Sequence, residues 1–288
     1  MAAESKRDAK RESATLADRL NAVIEQVSVE RLLIVYTVLV ATYVYLPMLS
    51  LIVFSFNATG LTFPISEISL VWYTELLNNQ GLIEATVRSL KLAFVTMIIT
   101  TILATMLAVA YHYNFRGKRL VLYLIILGIV IPGIAYGIGA RILLVETLGL
   151  PRNLWLAITV HVVWTLPFSF IVLLAGFPPN LAQNEHAAHV MGADNLSVFR
   201  RITFPQIAPT VLGAAVFAFT LSYNEATRGL LLVGRDTTMP TEIFTTVVGE
   251  RASPEMFALG SITTVVSVIL LFIAGGIVIY SRQRGRTD

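Results

Sequence analysis

Six apolar stretches, each more than 20 residues long, constrain this chain more than any other feature. They run over about residues 32–56, 86–111, 120–148, 154–177, 210–233 and 256–280. Each is long enough to cross a hydrocarbon layer roughly 30 Å thick as a helix. Water is absent there, so every backbone N–H and C=O must find a partner within the protein, which favours helices. The expected fold class is therefore all-α: a polytopic membrane protein with six transmembrane helices. Composition agrees, since 56% of the 288 residues are hydrophobic, 14% are charged and mean hydropathy is +0.73. Cysteine is absent, which excludes disulfides, thiol nucleophiles and thiolate metal sites. The four histidines, His112, His161, His186 and His189, show no HExxH spacing, so no metal site is expected. There is no G-x-x-x-x-G-K-[ST] loop, so any ATP hydrolysis belongs to another chain.

The polar segments between the spans set an orientation. Residues 1–31 carry Lys6, Arg7, Lys10, Arg11, Arg19 and Arg31. Within them Leu16, Leu20, Ile24 and Val27 recur at helical spacing, which suggests an amphipathic helix on the membrane surface or an ordinary leader to the first span. No A-x-A-type site follows, so a cleaved signal peptide is not expected. This tail, the 112–119 loop, the 178–208 loop and the basic tail at 281–288 together hold 14 of the 21 Lys and Arg residues. The positive-inside rule puts that side in the cytoplasm, with both termini. Residues 57–84 and 234–255 become outward polar loops, with Trp72 and Tyr73 as interface anchors. No soluble domain is visible, and residues 32–280 read as one transmembrane domain.

The 178–208 loop carries the most specific pattern. Its stretch EHAAHVMGADNLSVFRRITFPQIAP covers residues 185–209. Ala187, Ala188, Val190 and Met191 favour a helix, and Gly192 with Ala193, Asp194 and Asn195 reads as its stop and turn. Asp194 or Asn195 is placed to cap a second short helix to Ile202, which Pro205 and Pro209 are expected to end. The product is a short helix with a small-residue face at the membrane surface, suited to helix-in-groove recognition.

Ala187, Ala188, Gly192, Ile202 and Pro205 match in spacing the signature of the membrane subunits of ABC importers: E-A-A, three residues, Gly, nine residues, I-x-L-P. His186 stands where that signature has Glu, Glu185 comes one place early, and Phe204 replaces Leu. More of the chain resembles the second permease subunit of spermidine/putrescine importers: YLPMLSLIVFSFN at 45–57, WYTELLNN at 72–79, RSLKLAFVT at 88–96, His161 with Pro167 and Phe168, and SYNEATRGLLLVG at 222–234. The resemblance covers about residues 40–280 and extends to a group that imports polyamines, opines, aminoalkylphosphonates and ferric ion. It implies the type I ABC importer permease fold in a bacterial inner membrane, with a cytoplasmic coupling helix. It also implies a second permease subunit, two ATPase subunits and an extracytoplasmic substrate-binding protein as partners, besides the lipid bilayer. ATP and Mg would sit on the ATPase, no cofactor on this chain, and no nucleic-acid partner is expected. The residues carried over as coupling to the ATPase are Glu185, His186, Ala187, Ala188, Gly192, Ile202 and Pro205.

Ionisable groups at membrane depth are costly and face a cavity or a partner. Arg141, His161, Trp164, Tyr223, Asn224, Glu225 and Arg228 are the candidates for a substrate pathway, with Asn224 and Arg228 on one helical face. The competing reading is pairing: Glu225 with Arg228, Arg141 with Glu146 or Glu225, and His161 as a structural hydrogen-bonding residue. Polyamine permeases tend to carry two acidic residues in the fifth span, where this chain has Asn224 and Glu225. Together with Arg141 and Arg228 that favours a substrate bearing an anionic group, such as an opine or aminophosphonate, over a pure polycation. The alternative to an importer subunit is a secondary transporter or channel without an ATPase, which leaves the 185–205 pattern unexplained.

Overall fold

The structure, a computed structural model, describes residues 29–284 except 61, 66, 114 and 250–253. The amphipathic helix expected over Thr15 to Val27 lies outside the described residues, as does the end of the basic tail from 285 on. Helices dominate, and among the described residues the one β feature is an isolated bridge between Asn57 and Ile68. Among the described residues, five helical runs are long and apolar enough to cross a membrane, and a bent pair reaches the same length and apolarity only when its two halves are taken together.

Helix α1 (Val29–Ser55) belongs, up to Phe54, to a unit separate from the rest of the chain. Pro47 lies within it. The second unit begins at Ser55. The 57–84 segment, expected as an outward loop, is more helical than the sequence suggested, because α2 (Val71–Asn78) and the start of α3 (Gln80–His112) occupy it. Asn79 ends the first and starts the second: its N–H reaches the Glu75 carbonyl, and its side chain accepts from Leu82 N at 3.2 Å. Similarly, α10 (Met239–Gly249) forms within the expected 234–255 loop.

The third expected span is broken. Helix α4 (Lys118–Val130) stops before Pro132 and is bent by 103° from α5 (Gly133–Arg141), which runs on into a π-helical turn at Ile142–Thr147. Ile131 precedes the proline and adopts extended backbone (φ −66°, ψ 125°), because the proline ring disfavours the helical conformation there. Helix α6 (Leu154–Gly176) is capped by Asn153, whose side chain accepts from Leu156 N at 2.8 Å. The loop helices α7 (Leu181–Val190) and α8 (Asn195–Val198) follow. A π turn at Phe199–Thr203 then leads directly into α9 (Phe204–Tyr223). Pro205 and Pro209 thus do not separate the loop from the span. Pro205 falls in the first turn of α9, where the absent N–H costs least, and the π turn before it absorbs the change of register. The fifth span ends at Tyr223, not near Val233, and the last long helix is α11 (Pro254–Arg284).

Helices α3, α6 and α9 pack against one another in all three pairs, with α11 against α9 and α2 against α11. Lipid is as apolar as the side chains, so close packing and buried hydrogen bonds must hold such a bundle. The interfaces are accordingly small: Ala93, Ala104, Ala108, Ala157, Ala214 and Ala218 are fully buried. Thr100 and Thr165 share a 2.7 Å hydroxyl bond across α3 and α6. His161 Nδ1 lies 2.9 Å from the Ser222 hydroxyl across α6 and α9. At the end of α6, Gly176 lies so close to Thr210 of α9 that a Cβ there would meet the threonine methyl at 2.2 Å.

Gly176→Val should force α6 and α9 apart and cost about 1–3 kcal/mol. Thermal unfolding of the protein in lipid checks this, and pairing the change with Thr210→Ala should recover part of the loss.

Candidate functional site

The loop helix α7 closes on a glycine. Gly192 has φ +89°, in the left-handed region. Gly192 N–H donates to the His189 carbonyl (2.9 Å) and Ala193 N–H to the Ala188 carbonyl (3.0 Å), the paired bonds of a Schellman cap. A side chain at Gly192 would meet open space, so the backbone conformation alone selects glycine. Asp194 then takes the capping position of α8 with extended backbone, its carbonyl accepting from Val198 N at 2.9 Å. The tip is apolar and open: Val190, Met191 and Leu196 are exposed, Met191 to 81%. His186, Ala187 and Gly192 are also exposed, and so is Pro205 in the first turn of α9. Ala188 is buried and Ile202 half-buried within the π turn.

Glu185 faces the other way. It is 4% exposed, on the inner side of α7 with Leu181 and Ala188. Its carboxylate accepts from the Thr203 hydroxyl (2.5 Å), His112 Nε2 (3.0 Å) and the Tyr113 hydroxyl (3.4 Å). Burial first, and then the Glu185 charge, push the Tyr113 phenol above its ordinary value, so it stays a protonated donor. Of the seven loop residues picked from the sequence, Glu185 is thus the one whose functional atoms are taken up inside its own chain. Its partners His112 and Tyr113 escaped sequence reading because they lie more than 70 residues away.

The second cluster lies where α9 stops. Beyond Tyr223 the chain is irregular from Asn224 to Thr238, so Asn224 and Arg228 do not share a helical face as expected. Glu225 Oε1 accepts from Thr227 N (2.8 Å), the Thr227 hydroxyl (2.9 Å) and Arg228 N (2.9 Å). Its Oε2 accepts from Arg228 Nη1 at 2.6 Å. The guanidinium also lies over the Trp164 ring, 3.5 Å from its centroid. Helix α5 admits this segment through Gly133 and Gly137: a Cβ at 137 would stand 2.8 Å from the Arg228 carbonyl oxygen. Gly229 leaves the same kind of room for His161 Nε2.

The other pathway candidates divide. His161 is fully enclosed and bonded to Ser222, a structural position. Tyr223 is packed into a cluster with Leu76, Ala93 and Met239 and stacks on Phe219 at 5.9 Å. Asn224 donates to the Thr220 carbonyl (2.8 Å) and to Ser267 of α11 (3.3 Å). Arg141 pairs with Glu146 at 3.3 Å and not with Glu225. The structure therefore joins Trp164, Glu225 and Arg228, with His161 alongside, and leaves Arg141 apart.

Residues 100–284 match the family described as binding-protein-dependent transport system inner membrane component. The chain is 30% identical over 250 residues to the spermidine/putrescine transport system permease protein PotC of Escherichia coli (strain K12), covering 85% of this chain and 92% of that protein. It is 31% identical over 252 residues to the putrescine transport system permease protein PotI of the same strain, covering 84% and 88%. Among solved structures it is similar in fold to a chain of the inward-facing MetNI methionine ABC transporter. The TM-score is 0.58 at 18% identity, over 73% of this chain and 97% of that one.

Removing one member of the Glu225–Arg228 pair strands a buried charge, so Arg228→Met should cost about 3–5 kcal/mol. Adding Glu225→Gln should return most of that stability, as measured by thermal unfolding. Equal damage from the single and double variants would show that the pair is not a closed unit.

Proposed function

Since the chain belongs to the family of binding-protein-dependent transport system inner membrane components and is a permease of such an importer, we propose that it couples polyamine passage to a partner ATPase through the 178–208 loop. The observation that carries this reading is the tip of α7: a Schellman-closed helix end with Val190, Met191 and Leu196 exposed. Small residues beside an apolar tip fit the groove of a second protein. The excess of Lys and Arg on the same side as this loop supports a cytoplasmic location for it and for both termini.

In this reading residues 32–280 form half of a pore and a second permease subunit forms the other half. A loaded extracytoplasmic binding protein docks on the outward segments 57–84 and 234–255. ATP and Mg are held by two ATPase chains, whose closure displaces α7. Because α7 is closed onto the 191–194 turn by its Schellman bonds, and α8 runs on from that turn through the π turn into α9, that displacement reaches a core helix through a short bonded turn. His186, Ala187, Gly192, Val190, Met191 and Leu196 supply the contact face.

The substrate class follows from two supports. The relatives PotC and PotI are named for spermidine and putrescine. The expectation of an anionic substrate drew on Asn224 in place of an acidic residue and on the positive charge of Arg141 and Arg228; Arg228 is paired with Glu225 at 2.6 Å and enclosed. With the buried Arg228 charge paired, and the named relatives acting on polyamines, a polyamine is favoured over an opine or an aminophosphonate.

ATP hydrolysis by the purified complex in lipid should rise with a binding protein loaded with spermidine or putrescine, and not with one loaded with an opine or aminophosphonate. No nucleotide-hydrolysing chain in the purified complex would defeat the reading. Gly192→Val places a β-branched side chain in left-handed backbone at a cost of about 1–2 kcal/mol. It should lower uptake while the protein still inserts, and normal uptake in that variant would dismiss α7 as the coupling element.

A further inference from the structure

The face of α7 open to a partner and the face that carries Glu185 are opposite. Ala182, Gln183, His186, Ala187 and Val190 are exposed, whereas Leu181, Glu185 and Ala188, at helical spacing of four and three residues, are buried. The carboxylate at the centre of the buried face accepts from two other elements: His112 and Tyr113 at the end of α3, and Thr203 in the π turn that starts α9. Thr203 is itself fully buried. Asn184, beside Glu185, donates to Gln206 of α9 at 3.3 Å.

What lies at the far ends of these helices matters as much. At the other end of α3, Arg88 Nε donates to the Thr237 carbonyl (2.8 Å) and the Ser89 hydroxyl accepts from Met239 N (2.7 Å). The far end of α9 runs into Asn224 and the Glu225–Arg228 pair. Both helices held by Glu185 at the loop therefore hold the two ends of the irregular 224–238 segment at the other side. A charged acceptor bonded by three donors is a stiffer tie than apolar contact, because each bond has a direction and a charge-assisted bond is the stronger kind.

We infer that Glu185 is a positioning residue that acts inside its own chain: it locks α7 to α3 and α9 so that movement of the loop helix reaches both together. It is not a contact to the ATPase. This rests on the coupling role proposed above for the 178–208 loop.

The test uses the complete importer reconstituted in lipid, with Glu185→Gln, Thr203→Val and the double variant. Two quantities are read: the amount of ATPase chain that co-purifies, and the solute taken up per ATP hydrolysed. The second is insensitive to how much protein folds. Glu185→Gln keeps the size of the side chain and removes its charge. It should leave the ATPase chains bound and lower uptake per ATP by about tenfold, the scale of one lost charged hydrogen bond. Thr203→Val should do the same from the other side of the bond, and the double variant should lose little more than the worse single one. Loss of the ATPase chains in Glu185→Gln would make Glu185 a direct contact and overturn the inference. Uptake per ATP at wild-type level in Thr203→Val, or fully multiplied losses in the double variant, would overturn it as well. If Glu185→Gln does not insert, Thr203→Val decides alone. A wild-type complex without any ATPase chain would instead refute the coupling role itself.

Discussion

Backbone hydrogen bonding in a medium without water is the constraint on which everything else in this structure depends. Where the chain is helical the requirement is met locally. The informative places are those where it is not. The chain breaks within two of the expected spans, at Ile131–Pro132 and after Tyr223, and the two irregular places meet. Gly133 and Gly137, just past the first break, lie against Thr227 and Arg228, just past the second. Irregular backbone is tolerated inside a membrane protein when it is enclosed by protein, and side chains then serve it. Arg88 donates to the Thr237 carbonyl, Thr241 to the Ala226 carbonyl, and the Glu225 carboxylate accepts two backbone N–H groups.

The same constraint governs the two buried carboxylates. Glu225 and Glu185 lie at opposite ends of α9, and each is surrounded by donors from its own chain. Neither carboxylate is left without hydrogen-bond donors, a lack that low-dielectric surroundings would penalise heavily. For Glu225 this closes off the simplest reading of a cluster of charged groups in a span, namely that they stand open to substrate. For Glu185 it turns a residue of the loop signature from a surface feature into an internal tie. The loop thus has two faces: an apolar exposed tip closed at Gly192, and an inner face bonded to the core helices.

Much of this was legible along the chain. Long apolar runs mark the spans because hydrocarbon thickness sets a length, and the stop at Gly192 is visible because few residues accept positive φ. The capping residues Asn79 and Asn153 stand at the turns where their side chains bond the next helix. Boundaries were less legible around proline. Pro132 breaks its span, whereas Pro205 falls in the first turn of α9, where no N–H is needed, and Pro47, Pro167 and Pro209 lie within helices that continue past them. Segments that look polar, such as 71–84 and 239–249, are helical because their apolar residues Leu76, Leu82 and Met239 bury together with Tyr223.

The sequence by itself determined an all-helical membrane protein, the place of its loop signature and the glycine that closes the loop helix. These depend on local composition and local backbone preference, which neighbours in the chain settle. Tertiary structure alone decided which charged groups are paired. Glu185 meets His112 across 73 positions, Trp164 meets Arg228 across 64, and Arg141 finds Glu146 in place of Glu225. Electrostatic energy depends on distance in space and on exclusion of water, and no spacing along a chain records either.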